Sequence, residues 1–264
     1  MNILETIIEK KKKEIAEKKE IMDIDFLKFM NDDFDKKGLS LKEKLLNGEA
    51  NVIAEFKRKS PSKGWMNERI HISDVIPEYE AHGAAAISVL TDNEFFGGDI
   101  EELKIARVEV DIPLLRKDFM IDEFQLYEAK SYGADLILLI AACLTKEQVK
   151  QLAQKAKELQ LEVLLEIHSR KEIEFICDEV DIIGINNRNL ETFVTDVKTS
   201  MHLIEFMPVD KPVISESGIT DVDTISVLHG LGFKGFLIGE TFMKAQKPAI
   251  AFAEFMQQLK AKLK

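Results

Sequence analysis

Cysteine is almost absent from this 264-residue chain: Cys143 and Cys177 are the only two, they form no C-x-x-C pair, and no histidine stands at metal-ligand spacing from them. A disulfide framework is therefore excluded, and no metal site is expected. Apolar runs of membrane-spanning length are missing too, and the opening MNILETIIEKKKKEIAEKKE carries its lysines after its first apolar residues, the reverse of a secretory signal. The expectation is a cytoplasmic protein with no membrane partner. Positive charge is in short supply, since 36 Lys and Arg face 47 Asp and Glu for a formal net charge of -11. A nucleic-acid-binding surface needs a basic stripe to neutralise phosphates, so nucleic acid is not an expected partner, although a local basic cluster can still hold a small anion. Finally, no G-x-G-x-x-G follows the first strand-like run, which argues against a dinucleotide-binding sheet.

What is present is a folded-domain composition, 45% hydrophobic and 31% charged, with enough apolar residues for one large core. Up to residue 47 the apolar residues fall at helical spacing: Ile3, Leu4, Ile7, Ile8 and Ile15, then Phe26, Leu27 and Met30, then Leu41, Leu45 and Leu46. Residues 1–47 are expected to form a helical extension packed on a main unit of 48–264, the whole being one domain. The run Lys10 to Lys13 is expected to face water.

From Asn51 a different pattern repeats eight times, a short apolar run followed by a polar loop and an amphipathic segment. The strand candidates are NVIAEF at 51, AAISVL at 85, IPLLRK at 112, DLILLI at 135, EVLLEI at 162, DIIGIN at 181, PVISES at 212 and GFLIG at 235. Helices are expected near 71–82, 99–109, 122–132, 145–160, 169–178, 196–207, 220–231 and 247–262. Thr145 with Gln148 reads as a capping box, Asp221 as a helix start, and Gly83, Gly133 and Gly232 as left-handed stops. Alternating strand and helix implies a parallel sheet, and runs as apolar as DLILLI imply burial on both faces. Eight repeats predict closure into an α/β barrel of the (β/α)8 TIM type, typically about 250 residues long, with an open doubly wound sheet as the alternative. Apolar helix faces that pack on a barrel read the same as faces that pack on a second copy, so a monomer or weak homo-oligomer is expected.

In such a barrel the chemistry lies at the C-terminal strand ends. Side chains alternate along a strand, so Glu55 and Lys57 share one face, as do Leu115 and Lys117, Leu164 and Glu166, and Gly184, Asn186 and Arg188. If that face points inward, the mouth holds two lysines and two glutamates from three strands. They could merely satisfy one another at the rim, but buried charge is costly and this is more of it than rim packing requires. Ser217-Gly218 and Gly239-Glu240-Thr241 combine glycine with helix starts after the last two strands, where barrels commonly bind phosphate.

The motifs EFKRKSPSKG at 55, SVLTD at 88, LRKDF at 115, GADLILLI at 133, LLEIH at 164, IGINNRNL at 183, SESGI at 215 and LIGETFM at 237, taken in order, resemble the indole-3-glycerol-phosphate synthase family of tryptophan biosynthesis. The resemblance implies a cofactor-independent lyase that converts a phosphorylated small molecule, 1-(2-carboxyphenylamino)-1-deoxyribulose 5-phosphate, to an indole with loss of carbon dioxide and water. By the same resemblance Lys117 is the general acid and Glu166 the general base, with burial expected to raise the Glu166 pKa toward neutrality. Lys57 holds the anthranilate carboxylate, while Glu55 and Asn186 orient the lysines and the substrate. Arg188, Glu216 and Ser217 contact the substrate at the mouth, and Phe96 and Leu138 contact its aromatic ring. Ser60 and the backbone of Gly218, Gly239 and Glu240 hold the phosphate. Glu240 departs from the serine frequent in the family, and a carboxylate beside an anion is unfavourable unless its side chain turns away. His168 is expected to be a hydrogen-bonded rim residue, and Ser60 to Gly64 a flexible connection.

Overall fold

The computed structural model describes residues 3–190 and 192–264. Eight parallel strands close into a barrel: β1 Asn51–Phe56, β2 Ala86–Leu90, β3 Leu114–Lys117, β4 Leu136–Ile140, β5 Glu162–Ile167, β6 Ile182–Asn186, β7 Val213–Glu216 and β8 Gly235–Ile238. Each strand pairs with its neighbours in sequence, and β8 returns to β1 in the register Asn51↔Gly235. Closure removes both sheet edges, and every predicted run supplies one strand.

The alternation of the strands divides the core in two. Ile53, Leu115, Leu136, Leu138, Leu164, Ile182, Ile214 and Leu237 fill the barrel, while their neighbours Val52, Ala54, Leu114, Ile137, Val163, Ile183, Val213 and Phe236 pack outward. Helices cover that outer layer, among them α4 Ile76–Ala81, α6 Glu101–Glu109, α7 Glu123–Ser131, α8 Lys146–Glu158, α10 Val222–Gly230 and α12 Pro248–Lys262. Local chemistry starts and stops them. Thr145 and Gln148 form the reciprocal capping box of α8, Asp221 accepts from the Thr224 amide at the start of α10, and Gly83, Gly133 and Gly232 have φ of +97°, +88° and +111°.

The helix expected over 169–178 shrinks to a 3₁₀ segment, Arg170–Phe175. The Glu172 carboxylate folds back to accept from the amides of His168 at 2.5 Å and Ser169 at 3.1 Å, which tightens the turn before an α-helix can propagate. A second difference is the stretch after β1. Instead of a flexible connection it pairs Lys59–Ser60 with Gly64–Trp65 in a two-residue antiparallel hairpin, and Arg58 anchors it by donating to the Gly97 carbonyl and pairing with Glu102 at 2.9 Å. The four-residue helix α5 Asn93–Phe96, capped by Asp92, was not foreseen either.

Before β1 come α1 Ile3–Ile21, α2 Ile24–Phe29 and α3 Leu41–Leu45. They reach opposite ends of the barrel. Leu41 and Leu45 of α3 are fully buried in the inner core at its base, and the Leu41 and Lys42 amides donate to Glu162 at the start of β5. Ile7 of α1 joins the same inner core at the mouth.

Leu45→Ala should remove part of the base plug and lower the unfolding free energy by about 2–5 kcal/mol in urea titration; a loss below about 1 kcal/mol would show that α3 contributes little.

Candidate functional site

Polar ends of the inward strand faces surround a cavity of about 530 Å³ at the C-terminal mouth. Its lining includes Glu55, Lys57, Phe96, Lys117, Leu138, Glu166, Asn186, Arg188, Glu216, Ser217, Gly218, Gly239 and Glu240. Of the residues singled out from the sequence only Ser60 is not brought there: it is buried in the hairpin with 3% exposure, and its hydroxyl has no partner among the described residues. Ser62 and Lys63, at the hairpin turn, line the cavity instead.

At the centre sits Lys117. Strands β3 and β7 stand across the barrel from each other, yet Lys117 Nζ lies 2.5 Å from Glu216 Oε2 and 3.2 Å from Glu166 Oε2 of β5. Glycine makes this convergence possible. A Cβ at Gly184 would overlap Glu216 Oε1, and one at Gly239 would stand 2.5 Å from Glu55 Oε1, so both carboxylates occupy space a larger residue would fill. A second pair, Lys57 Nζ to Glu55 Oε1 at 2.5 Å, flanks the first.

Burial by itself would push the Lys117 ammonium toward neutrality, but Glu216, Glu166 and Glu55 outweigh it and raise its pKa, so it remains charged. The two carboxylates then divide. Desolvation, reinforced by the Glu166 charge and only partly offset by Lys117, pushes Glu216 up to about 7. Glu166 is desolvated as well, but Lys117, His168 and Asn186 favour its ionised form and hold it below the usual carboxylate range. The rise toward neutrality expected for Glu166 is thus found on Glu216. The pair titrates as a unit, with the last proton residing on the member that lacks the histidine. His168 stands between Glu166 and Glu172 at 3.2 and 3.7 Å; burial opposes its charge, but the two carboxylates raise it to about 10, which favours a cation beside Glu166.

The two sides of the mouth differ. Toward β6–β8, Ser217 and Gly218 both take left-handed backbone, φ +68° and +75°. Such a conformation is strained for serine, and here Asn187 holds it, donating to the Ser217 carbonyl and the Ser215 hydroxyl at 3.0 Å each. The helix α11 Glu240–Met243 opens immediately after Gly239, and Arg188, Lys63 and Lys244 add positive charge around these backbone turns. The Glu240 side chain turns toward the cations: its carboxylate lies 3.2 Å from Arg188 Nη2 and 3.8 Å from Lys63 Nζ. Toward β2–β4 the wall is apolar, formed by Phe96, Phe119, Leu90, Leu138 and Ile140 together with Ile3, Leu4 and Ile7 of α1; the rings of Phe96 and Phe119 lie 6.1 Å apart. Sequence reasoning missed Phe119, Asn187 and the three α1 residues. Phe119 directly follows the Lys117-Asp118 pair and could have been found from that adjacency, whereas the α1 contacts had no local signal.

Basic side chains beside glycine turns on one side, an apolar wall on the other and a charged lysine between two carboxylates suit acid–base chemistry on a molecule that carries both an anionic group and an apolar ring. Comparison with known proteins agrees. A family model described as indole-3-glycerol phosphate synthase matches residues 4–255. The indole-3-glycerol phosphate synthase of Bacteroides thetaiotaomicron is 50% identical over 220 residues, covering 83% of this chain and 85% of the relative. That of Burkholderia multivorans is 40% identical over 250 residues, covering 94% and 96%. Among solved structures, 3-hexulose-6-phosphate synthase from Salmonella typhimurium superposes with a TM-score of 0.63 at 12% identity, covering 80% of this chain and 99% of that one, a likeness of fold.

Because Glu240 competes for Arg188 and Lys63, Glu240→Gln should bind inorganic phosphate about two- to fivefold more tightly by titration calorimetry, the size expected of a partly exposed ion pair. Equal or weaker binding would mean that the carboxylate serves to aim Arg188.

Proposed function

The chain belongs to the indole-3-glycerol phosphate synthase family, a decarboxylating lyase of tryptophan biosynthesis, and from that premise we propose how its residues divide the reaction. The substrate 1-(2-carboxyphenylamino)-1-deoxyribulose 5-phosphate extends across the mouth. Its phosphate rests on the backbone of Ser217, Gly218, Gly239 and Glu240 with Arg188 and Lys63, and its aromatic ring lies against Phe96, Phe119 and Leu138. Lys57 pairs with the ring carboxylate, while Glu55 and Asn186 hold the lysines and the substrate chain in orientation. What supports this arrangement is that one cavity is lined by the apolar residues, by the cationic ones and by Lys117.

Ring closure joins the aromatic carbon bearing the carboxylate to the ketone carbon, and the ketone oxygen needs a proton as the bond forms. Lys117, charged and desolvated, supplies it. Carbon dioxide then leaves, its bonding electrons restoring the aromatic ring. Loss of water requires a proton on the departing hydroxyl, from Lys57, and removal of one from the carbon beside the ring nitrogen, by Glu166. The low basicity of Glu166 at rest is compatible with that role, because the Lys117 charge is the main influence holding its pKa down. Once Lys117 has given up its proton that restraint is gone and Glu166 becomes the stronger base. Glu216 takes part as the other half of the pair, and the site has to lose their shared proton before it can work.

The expected state is a monomer or weak homo-oligomer, and a stable higher oligomer in sedimentation velocity at assay concentration would count against it. Two unpaired cysteines support a cytoplasmic location, testable by cell fractionation.

The central observation is the buried Lys117–Glu216–Glu166 contact, and it is testable directly. Incubation with the substrate should generate indole absorbance and fluorescence without added metal or nucleotide, and absence of signal at high enzyme would overturn the reading. Lys117→Ala should lower kcat by about 10²–10⁴-fold while substrate affinity stays within about tenfold. For the pH dependence, Glu216 is ionised above its pKa of about 7 and protonated below it, so kcat/KM should fall as pH drops through that value. Glu216→Gln should abolish this acidic limb; its persistence in the variant would assign the titration elsewhere.

A further inference from the structure

The largest cluster of buried charge outside the reacting centre lies where α1 crosses the ends of β2 and β3. The lysine run at 10–13, expected to face water, does so at Lys10, Lys12 and Lys13, but Lys11 is 1% exposed because it turns toward the barrel and its aspartates. Its ammonium lies 3.0 Å from Asp92 Oδ2, 3.0 Å from Asp118 Oδ1 and 2.8 Å from Glu14 Oε2. Neither aspartate is an ordinary surface anion. Asp92 follows β2 and caps α5, accepting from the Phe95 amide at 2.8 Å, so it sets the helix that carries Phe96. Asp118 is the residue between Lys117 and Phe119; besides Lys11 it accepts from Thr91 Oγ1 at 2.7 Å, Arg116 Nη2 at 3.2 Å and the Phe119 amide at 2.8 Å. One ammonium group therefore ties together the backbone segments behind both aromatic rings of the apolar wall.

A tie that served only to dock α1 would not need charge, since apolar contacts hold a helix without the cost of desolvating an ammonium and two carboxylates. Charge adds direction: two carboxylates from separate segments, each 3.0 Å from one ammonium, admit a narrow range of loop positions. The same helix brings Ile3, Leu4 and Ile7 into the cavity lining, one to two turns before Lys11. We propose that Lys11 is a positioning residue for the synthase reaction, holding Asp92 and Asp118 so that Phe96, Phe119 and the first turns of α1 form the slot for the substrate's aromatic ring. The inference rests on the reading of Phe96 and Phe119 as the ring pocket. It concerns the apolar side of the mouth alone: Ser217 and Gly218 of the phosphate side follow β7, which stands across the barrel from β3, and Gly239 follows β8, which β1 separates from β2. Burial raises the Asp92 pKa, and among its neighbours Lys11 opposes that rise most.

The test compares two ligands that share the phosphate site and differ in the ring. In Lys11→Met, kcat/KM should fall about tenfold or more, chiefly through KM, the scale of a misplaced binding surface. Competitive inhibition by inorganic phosphate should stay within about twofold of wild type, because only the ring slot is disturbed. Lys11→Arg, which keeps the charge, should recover most of the loss. If Lys11→Met does not fold, the double variant Lys11→Met with Asp92→Asn, which avoids one orphaned carboxylate, takes its place under the same criteria. An unchanged KM, or equal losses for substrate and phosphate, would reduce Lys11 to a structural tie and overturn the proposal. Phe96→Ala separates the two levels: if it leaves KM unchanged, the ring-pocket reading itself fails and the proposal with it, whereas a raised KM there beside an unchanged one in Lys11→Met rejects the Lys11 role alone.

Discussion

A lysine whose side chain is 13% exposed, held among carboxylates from three strands, is the constraint around which the mouth of this barrel is built. An ammonium ion in so dry a place is tolerable only with close anionic partners, and the anions are tolerable only with the ammonium. Each is therefore fixed by the others, and the backbone must bring β1, β3, β5 and β7 to a common height. The register does this: Glu166 stands beside Gly184, and Asn186 beside Glu216. Gly184 and Gly239 are then consequences of the same constraint, since the carboxylates occupy the volume their side chains would take.

The packing below the charges supports that arrangement. Inward aliphatic residues fill the barrel beneath the polar layer and exclude water from below, while α3 seals the base. With water excluded, electrostatic interactions at the mouth are strong, and small differences in partners separate groups of the same chemical type. Glu166 and Glu216 have the same side chain, the same burial and the same lysine. His168 and Asn186 act on one of them, and that is enough to place the shared proton on the other.

This bears on what could be read from the sequence. The eight strands were legible because closure buries both faces, so each strand becomes an uninterrupted apolar run, and Lys117 and Glu166 were legible because they end such runs on the inward parity. The division of roles between Glu166 and Glu216 was not, since it depends on which neighbour lies across a space that no periodicity describes. Nor was the hairpin after β1: two-residue strands are too short to show alternation. Arg116 belongs with these. It sits on the outward face of β3, where an apolar residue is the norm, and is 1% exposed because Glu128 of α7 and Asp118 satisfy its guanidinium at 2.7 and 3.2 Å.

Arg116 and Lys11 converge on Asp118 from opposite directions, one from the barrel wall and one from the extension. Two cations on one carboxylate hold it well ionised, its pKa lowered to about 2 against the effect of burial. The consequence reaches the reacting centre through the shortest covalent path, since Asp118 is bonded to Lys117. Along β3, successive residues thus alternate between two charge networks: Arg116 and Asp118 join the outer one with α1 and α7, while Lys117 faces inward to Glu216 and Glu166. The strand end is clamped from behind by fixed charges, and the Lys117 side chain projects from it into the cavity. Such rigid support keeps the ammonium at fixed distances from Glu216 and Glu166, because a backbone free to relax would follow the charges and dissipate the field they set up at the mouth.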